Sequence, residues 1–419
     1  MLDTLFRRRR RGIRLLAPLS VVTLLFAAAG PVAASGPAAA PAVDQDGNAS
    51  EEDIAFYTPP SPLPAGEPGD IIRARESSAG PAFTRNLGTA WQVMYLSTDA
   101  VGEPVAVTGT VIIPNDAEDP ASLPIVGMGP GTHGPAFWCA PSNHIANEWF
   151  YEQNAVNDML QAGYAVAITD YEGYHPDPDS TYMVGRSMGP ALINAVRAAQ
   201  RLPEAGLNPE AQVAFRGYSQ GGAAAMWAGQ LAPEYAPELN VAGVVGGGVP
   251  ADLVQVALPL EGQRGMGVLL YALLGLDNAY PELDLDSFLT DQGRTAFAEM
   301  NESSCVADLL TDYVGTSVSD FTTSPPFLDA TWQERLAENR LGGEAISVPV
   351  LQYHIVNDNL VGYRQAQTLR TNLCSAGTEL TWEPIEARGE HIDGVLYGND
   401  EAIDFLNARF AGEAASSNC

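Results

Sequence analysis

Two stretches of the chain share the spacing Gly-x-Ser-x-Gly: Gly217-Tyr218-Ser219-Gln220-Gly221 and Gly185-Arg186-Ser187-Met188-Gly189. That spacing suits a sharp turn from a strand into a helix, with the serine hydroxyl raised for attack. The outer glycines let the two elements pass close to each other. The chemistry would be acyl transfer through a serine ester. The flanking residues separate the two candidates. Gln212-Val213-Ala214-Phe215 reads as a strand, and Gly221-Gly222-Ala223-Ala224-Ala225 as a helix start without bulk. Ser219 is therefore the expected nucleophile. Ser187 follows a loop rich in Pro, Asp and Tyr and precedes Pro190. It reads as a helix N-cap or first-turn residue.

A serine hydroxyl is a weak nucleophile until an oriented base takes its proton. Where such a turn carries the serine, an acid and then a histidine follow it along the chain. The chain has five His, and His133, His144 and His175 precede Ser219. His354 lies inside the apolar run Val348 to Ile355, where a histidine is a packed, satisfied side chain. His391 sits in the loop Glu390-His391-Ile392-Asp393-Gly394, between the last strand and the last helix, and is the expected base. Asp358, in the loop after the preceding strand, is the expected acid; a turn cap is the plainer alternative. The oxyanion needs fixed N–H donors. The backbone of Gln220 is one. Thr132 or His133, in the loop Gly129-Pro130-Gly131-Thr132-His133-Gly134, is the other, against the alternative of a plain glycine-rich turn. No metal or organic cofactor is needed. Asp284-Leu285-Asp286 is a weak calcium candidate, and a solvated face is the stronger reading.

The elements that must position these residues are visible as an alternation. Strands are expected at Trp91 to Ser97, Val105 to Pro114, Leu123 to Gly127, Ala165 to Thr169, Gln212 to Arg216, Val241 to Val245, Val348 to Ile355 and Glu379 to Glu383. Helices are expected at Asn147 to Gly163, Pro190 to Leu202, Gly221 to Leu231, Tyr363 to Cys374 and Gly394 to Phe410. Alternating strands and helices imply an α/β fold with a mostly parallel sheet and helices on both faces. The stretch from Ala251 to Glu344 breaks the alternation and reads as helix-rich. Within it the run Met266 to Leu274 offers Met266, Leu269, Leu270 and Tyr271 as substrate contacts. Meeting a lipid surface and packing as core are the other readings.

Composition bounds the rest. The chain has 21 basic and 51 acidic residues, a formal net charge of −30. Such a surface repels phosphate backbones, so no nucleic acid partner is expected. Every basic residue is Arg, which coding bias explains; salt tolerance is the sharper reading of the acidic surface. Arg7 to Arg11 with Arg14, the apolar stretch Leu15 to Ala29 and Val32-Ala33-Ala34 together read as a signal peptide cleaved near Ala34. An uncleaved anchor is the alternative. No other segment is long enough to cross a membrane. The four Cys behind such a leader imply two disulfides, with three connectivities open.

Taken together, these segments resemble one family, the secretory lipases of the α/β-hydrolase superfamily. The resemblance rests on Trp91 to Pro114, Gly131-Thr132-His133-Gly134 with Cys139-Ala140-Pro141-Ser142, Asp170-Tyr171-Glu172-Gly173, Gly217 to Gly222, Asn357-Asp358-Asn359-Leu360-Val361 and His391. It covers about residues 54–412. It implies an α/β-hydrolase with a helical lid inserted after the sixth strand, and the pairs Cys139–Cys305 and Cys374–Cys419. The yeast members carry an acidic side chain where this chain has His133, which leaves the role of that side chain open. The expected division is a signal peptide (1–34), a disordered acidic leader (35–53), the core (54–250 and 345–419) and the lid (251–344). The expected activity is that of a secreted lipase or carboxylesterase on a small-molecule or lipid ester, with acylglycerols as the substrate class and a lipid–water interface as a further partner. An acyltransferase or polyester-type esterase, a serine peptidase and a non-catalytic cell-surface binding protein are the rivals.

Overall fold

Runs such as Ala-Val-Ala-Ile-Thr at 165–169 carry no charged or bulky polar side chain, the pattern of a strand covered on both faces. A computed structural model describes residues 49–81 and 86–419. The expected signal peptide and most of the leader lie outside the described residues. Nine strands form one sheet: β1 (Ile71–Ser77), β2 (Gly88–Thr98), β3 (Pro104–Pro114), β4 (Ile125–Gly129), β5 (Ala165–Thr169), β6 (Gln212–Tyr218), β7 (Asn240–Gly247), β8 (Val350–Ile355) and β9 (Leu380–Ile385). Their spatial order is β1-β2-β3-β5-β4-β6-β7-β8-β9. The first three pair antiparallel, and β3 pairs antiparallel with β5. From β5 to β9 every pairing is parallel.

Side chains alternate across the sheet, so each face has its own core. Val213 and Phe215 face the helices Gly185–Arg201 and Gln220–Tyr235. Ala214 and Tyr218 face the helices Gln153–Gln161 and Asn399–Phe410. Strand β1 was not expected. Its Ile-Ile-Arg-Ala-Arg-Glu-Ser run is half-exposed, so no apolar alternation marks it. With β1 counted, the helical insertion follows the seventh strand, not the sixth. It includes the helices Leu253–Leu260, Met266–Ala279, Asp291–Ser303 and Ala330–Glu338. The neck of the insertion is closed by Leu341 N–H donating to Ala251 O at 2.9 Å.

The acidic leader ends earlier than 53. Ser50 caps the helix Glu51–Tyr57, and the buried Asp53 pairs with Arg75 at 2.7 Å. Burial of Phe56 and Tyr57 holds this segment down. Both disulfides are present, Cys139–Cys305 and Cys374–Cys419, with Cα atoms 5.6 and 5.5 Å apart. Among the described residues no helix is long and apolar enough to cross a membrane. At the Asp284-Leu285-Asp286 stretch, Asp286 pairs with Arg294 at 3.3 Å.

Candidate active site

Ser219 is the single residue between β6 and the helix Gln220–Tyr235. Its backbone sits at φ 58° and ψ −122°, a region an L-residue enters only when its surroundings force it. Two glycines supply that force. A Cβ on Gly221 would lie 1.8 Å from Gly129 O, and one on Gly217 would lie 2.2 Å from the Gly221 backbone. The turn is thus clamped against the end of β4. Ser219 N–H donates to Gly247 O at 2.9 Å, fixing it to β7 as well. Ser187, by contrast, lies in the first turn of its helix, as expected, and donates to Glu172.

His391 and Asp358 arrive from loops after β9 and β8. His391 Nε2 is 2.8 Å from Ser219 Oγ, and its Nδ1 is 2.6 Å from Asp358 Oδ2. An ionised carboxylate only accepts, so Nδ1 carries the proton and Nε2 accepts from the serine hydroxyl. The loop is pinned by His391 N–H to Asn359 Oδ1 at 3.0 Å and by Tyr218 O–H to His391 O at 2.7 Å. Asp358 Oδ1 takes the N–H groups of Leu360 and Val361 at 2.9 and 2.7 Å. Burial pushes the Asp358 carboxyl up, but hydrogen bonds from His354 and His391 outweigh it and hold it well below the usual carboxylate range. His354 is fully buried, its Nε2 2.8 Å from Val361 O and 3.3 Å from Asp358 Oδ2. Its Nδ1 has no partner among the described residues, so it is packed but not fully satisfied.

A cavity of about 600 Å³ opens on Ser219 and His391. Its walls are mostly aliphatic, with Val254, Leu258, Leu269 and Leu273 from the insertion, and Glu261, Arg264 and Glu390 also border it. Of the four expected substrate contacts, only Leu269 lines it. Met266, Leu270 and Tyr271 are buried on the opposite side of their helix. Tyr271 stacks on Tyr182 with ring centroids 4.0 Å apart and donates to or accepts from Ser180 at 2.6 Å. Residues 268, 269, 272, 273 and 276 form the cavity-facing stripe, the i, i+4 pattern of one helix face.

The oxyanion side is divided. Gln220 opens its helix, so its backbone N–H has no intrahelical acceptor and sits at the positive end of the helix dipole. Thr132 lines the cavity. The His133 side chain does not. Its ring is buried, stacked on Phe150 and Tyr151 at 5.3 and 5.0 Å, and its Nδ1 donates to Gly131 O at 2.9 Å. Burial pushes the His133 imidazole down to about 3, and the neighbouring His144 adds to that. A neutral stacked ring turned away from the cavity cannot donate to an oxyanion, so the role left open for the His133 side chain is not that of a donor, and His133 can offer only its backbone N–H.

A strained serine at a strand-to-helix turn, bonded in line to histidine and aspartate beside an aliphatic cavity, invites comparison with known ester hydrolases. The profile described as secretory lipase matches residues 142–418. The chain belongs to the secretory lipase family. Candida albicans Lipase 6 is 28% identical over 396 residues, covering 87% of this chain and 82% of its own length. The secreted triacylglycerol lipase LIP1 of Malassezia furfur is 28% identical over 387 residues, covering 87% and 77%. Among solved structures, Candida antarctica lipase A superposes with a TM-score of 0.78 at 25% identity over 88% of both chains. The rice cell wall degrading esterase LipA of Xanthomonas oryzae gives 0.68 at 19% identity over 82% of this chain and 98% of its own, a likeness of α/β-hydrolase fold alone. The secretory lipase family assignment and the α/β-hydrolase architecture therefore agree. Two contacts at this site carry no sequence signal: His354 beside Asp358, and Tyr218 beneath His391.

Proposed function

We propose that this chain is a secreted carboxylic ester hydrolase acting on acylglycerol-type esters through an acyl-enzyme on Ser219. One observation carries the reading: the Ser219–His391–Asp358 hydrogen-bond line ends at an aliphatic cavity of about 600 Å³. Ser219 Oγ attacks the ester carbonyl while its proton passes to His391 Nε2. Asp358 holds the imidazole and stabilises its cation. The developing oxyanion is held by the Gln220 N–H and a backbone N–H of the Thr132–His133 segment, donors that strengthen as charge grows. His391 then gives its proton to the departing alcohol. Water enters, His391 takes one of its protons, the hydroxyl adds to the acyl carbon, and Ser219 Oγ departs with the proton that His391 returns to it, releasing the acid. The aliphatic wall favours an acyl chain over a peptide, since apolar burial contributes about 0.8 kcal/mol per CH₂.

Secretion follows the signal-peptide reading and the names of the relatives. The decisive experiment is a fluorophosphonate probe followed by peptide mapping, run beside p-nitrophenyl esters of C2 to C16 acyl groups, a peptide panel and added alcohol as acceptor. Labelling at Ser219 with ester turnover is the expected result. Labelling elsewhere, peptide cleavage without ester cleavage, transfer to the alcohol in preference to water, or no labelling at all would sink this reading.

A further inference from the structure

The loop from Gly129 to Gly134 must hold an N–H donor still while charge develops at the substrate carbonyl. Past Gly129, which ends β4, the backbone joins no strand ladder, so side chains carry most of its fixing. Tyr171 O–H donates to Pro130 O at 2.7 Å, and Tyr151 O–H to Thr132 O at 3.3 Å. Tyr182 Oη and Thr132 Oγ1 are 2.7 Å apart, and Val306 N–H donates to His133 O at 2.7 Å. These contacts grip oxygens of the loop. One contact differs. Gly131 N–H donates to Glu152 Oε2 at 2.7 Å, and Glu152 is only 2% exposed.

We propose that Glu152 is a positioning residue of the ester-hydrolysing centre, its buried carboxyl orienting the oxyanion loop through the Gly131 N–H. The inference rests on the ester-hydrolase reading above. Glu152 stands at the start of the helix Gln153–Gln161, on an element that contributes nothing else to the reaction. A buried carboxyl is expensive to retain, and a core position would be more stable with an apolar residue unless the group serves a partner. The peptide N–H of residue 131 is that partner. It lies one residue from Thr132, the loop residue that lines the cavity.

The charges around Glu152 are balanced to keep it in service near neutrality. Burial pushes its carboxyl up to about 7, while the Gly131 N–H and the Arg216 guanidinium pull it back. Arg216 sits on β6, three residues before Ser219, and is itself buried. The other titratable groups facing Glu152 are the phenols of Tyr151, Tyr171, Tyr218 and Tyr353, all neutral with their values raised by burial. Both carboxyl forms accept the Gly131 N–H, the neutral one through its carbonyl oxygen. The acceptor therefore matters more than the charge, and a carboxamide should substitute.

The test uses the full chain with Glu152→Leu and Glu152→Gln, a soluble p-nitrophenyl ester at pH 7, and an alkyl boronic acid that forms a tetrahedral adduct on Ser219. Loss of an oxyanion donor costs about 10²–10³ in kcat, and displacement of one should cost part of that. Glu152→Leu should lower kcat about 10- to 100-fold with KM changed less than about threefold, and weaken boronate binding by a similar factor. Glu152→Gln should stay within about threefold of wild type in all three, since it keeps the acceptor. Should the Leu variant not fold, Glu152→Asp, one methylene too short to reach Gly131, carries the same expectation. A folded Leu or Asp variant with wild-type kcat and boronate affinity overturns the proposal. So does a Gln variant that loses as much as Leu. Failure of the wild type to turn over the ester or to take a fluorophosphonate would instead overturn the hydrolase reading.

Discussion

His354 Nε2 lies 3.3 Å from Asp358 Oδ2, the same carboxylate oxygen that holds His391. The carboxylate is thus gripped from two sides. His354 is the first of the partners that lower the Asp358 carboxyl against burial. A carboxyl held low in the fold stabilises the protein above its ordinary value, and that stability is lost as pH falls through the lowered one. Removing His354 lets the carboxyl rise, so the stabilisation above its ordinary value shrinks and its loss in acid is complete at a higher pH. His354→Ala should lower Tm by an amount that is constant above about pH 5 and narrows as pH falls towards about 2, and keep kcat at neutral pH within about tenfold. Thermal unfolding across that range with kinetics at pH 7 checks it. Abolished turnover in a folded protein would show that His354, not His391, is the base.

Ser219→Ala should remove ester hydrolysis, since loss of a triad nucleophile costs on the order of 10⁶ in kcat. Ser187→Ala should leave most of it, because Ser187 bonds Glu172 and Thr181 and does not line the cavity. His391→Ala should match Ser219→Ala, and Asp358→Asn should fall short of both. Single-turnover kinetics with an activated ester separates the four, and near-normal turnover by Ser219→Ala would be fatal to the assignment.

The two disulfides should differ in kind. Cys139–Cys305 ties the insertion to the segment after the oxyanion loop, where Val306 N–H also bonds His133 O at 2.7 Å. Cys374–Cys419 ties the C-terminal tail to the helix Tyr363–Ala376. Each should contribute about 2–5 kcal/mol. Cys139→Ser should lower both Tm and kcat/KM, whereas Cys419→Ser should lower Tm with kcat/KM unchanged. Equal kinetic effects of the two would remove the link between insertion and oxyanion loop.

Asp170 gives a test of pH dependence with the opposite sign. It is fully buried, accepts from Ser142 N–H at 2.6 Å and Thr108 Oγ at 2.7 Å, and burial pushes it up to about 6. A carboxyl raised in the fold contributes stability that is complete below its unfolded value, near 3.9, and is lost as pH rises through 6. The cost of ionising it is on the order of 2–3 kcal/mol. Asp170→Asn does not titrate, so its Tm relative to wild type should climb from pH 4 to pH 7. A flat difference across that range would show that Asp170 is ionised in the fold at all of these pH values.

That Ser219, His391 and Asp358 come together was legible because chain order and element type constrain them together. Ser219 needed a strand before and a small-residue helix after it, and only one of two matching motifs had both. The substrate wall was not legible from Met266 to Leu276. That helix is apolar on every side, so periodicity cannot say which stripe faces core and which faces cavity. Strand β1 was hidden for the opposite reason, being an edge strand too polar to show alternation. Glu152 and the stacked ring of His133 depend on contacts across the fold, which no local pattern records.

Ser219 belongs to a closed covalent ring. The Cys139–Cys305 bond links residues 166 apart, and β5, β6 and β7 all lie within that circuit, while Asp358 and His391 lie outside it. A single protease cut inside the ring, for instance at the 261–264 turn, breaks the backbone without parting the molecule into two pieces. The severed ends stay tethered through sulfur, and the remaining core contacts can hold them in register. Only a cut followed by reduction releases two pieces. The molecule thereby tolerates one break in a large share of its surface as a change of topology and not as a loss of mass, and a gel would reveal the damage only after the thiols are freed.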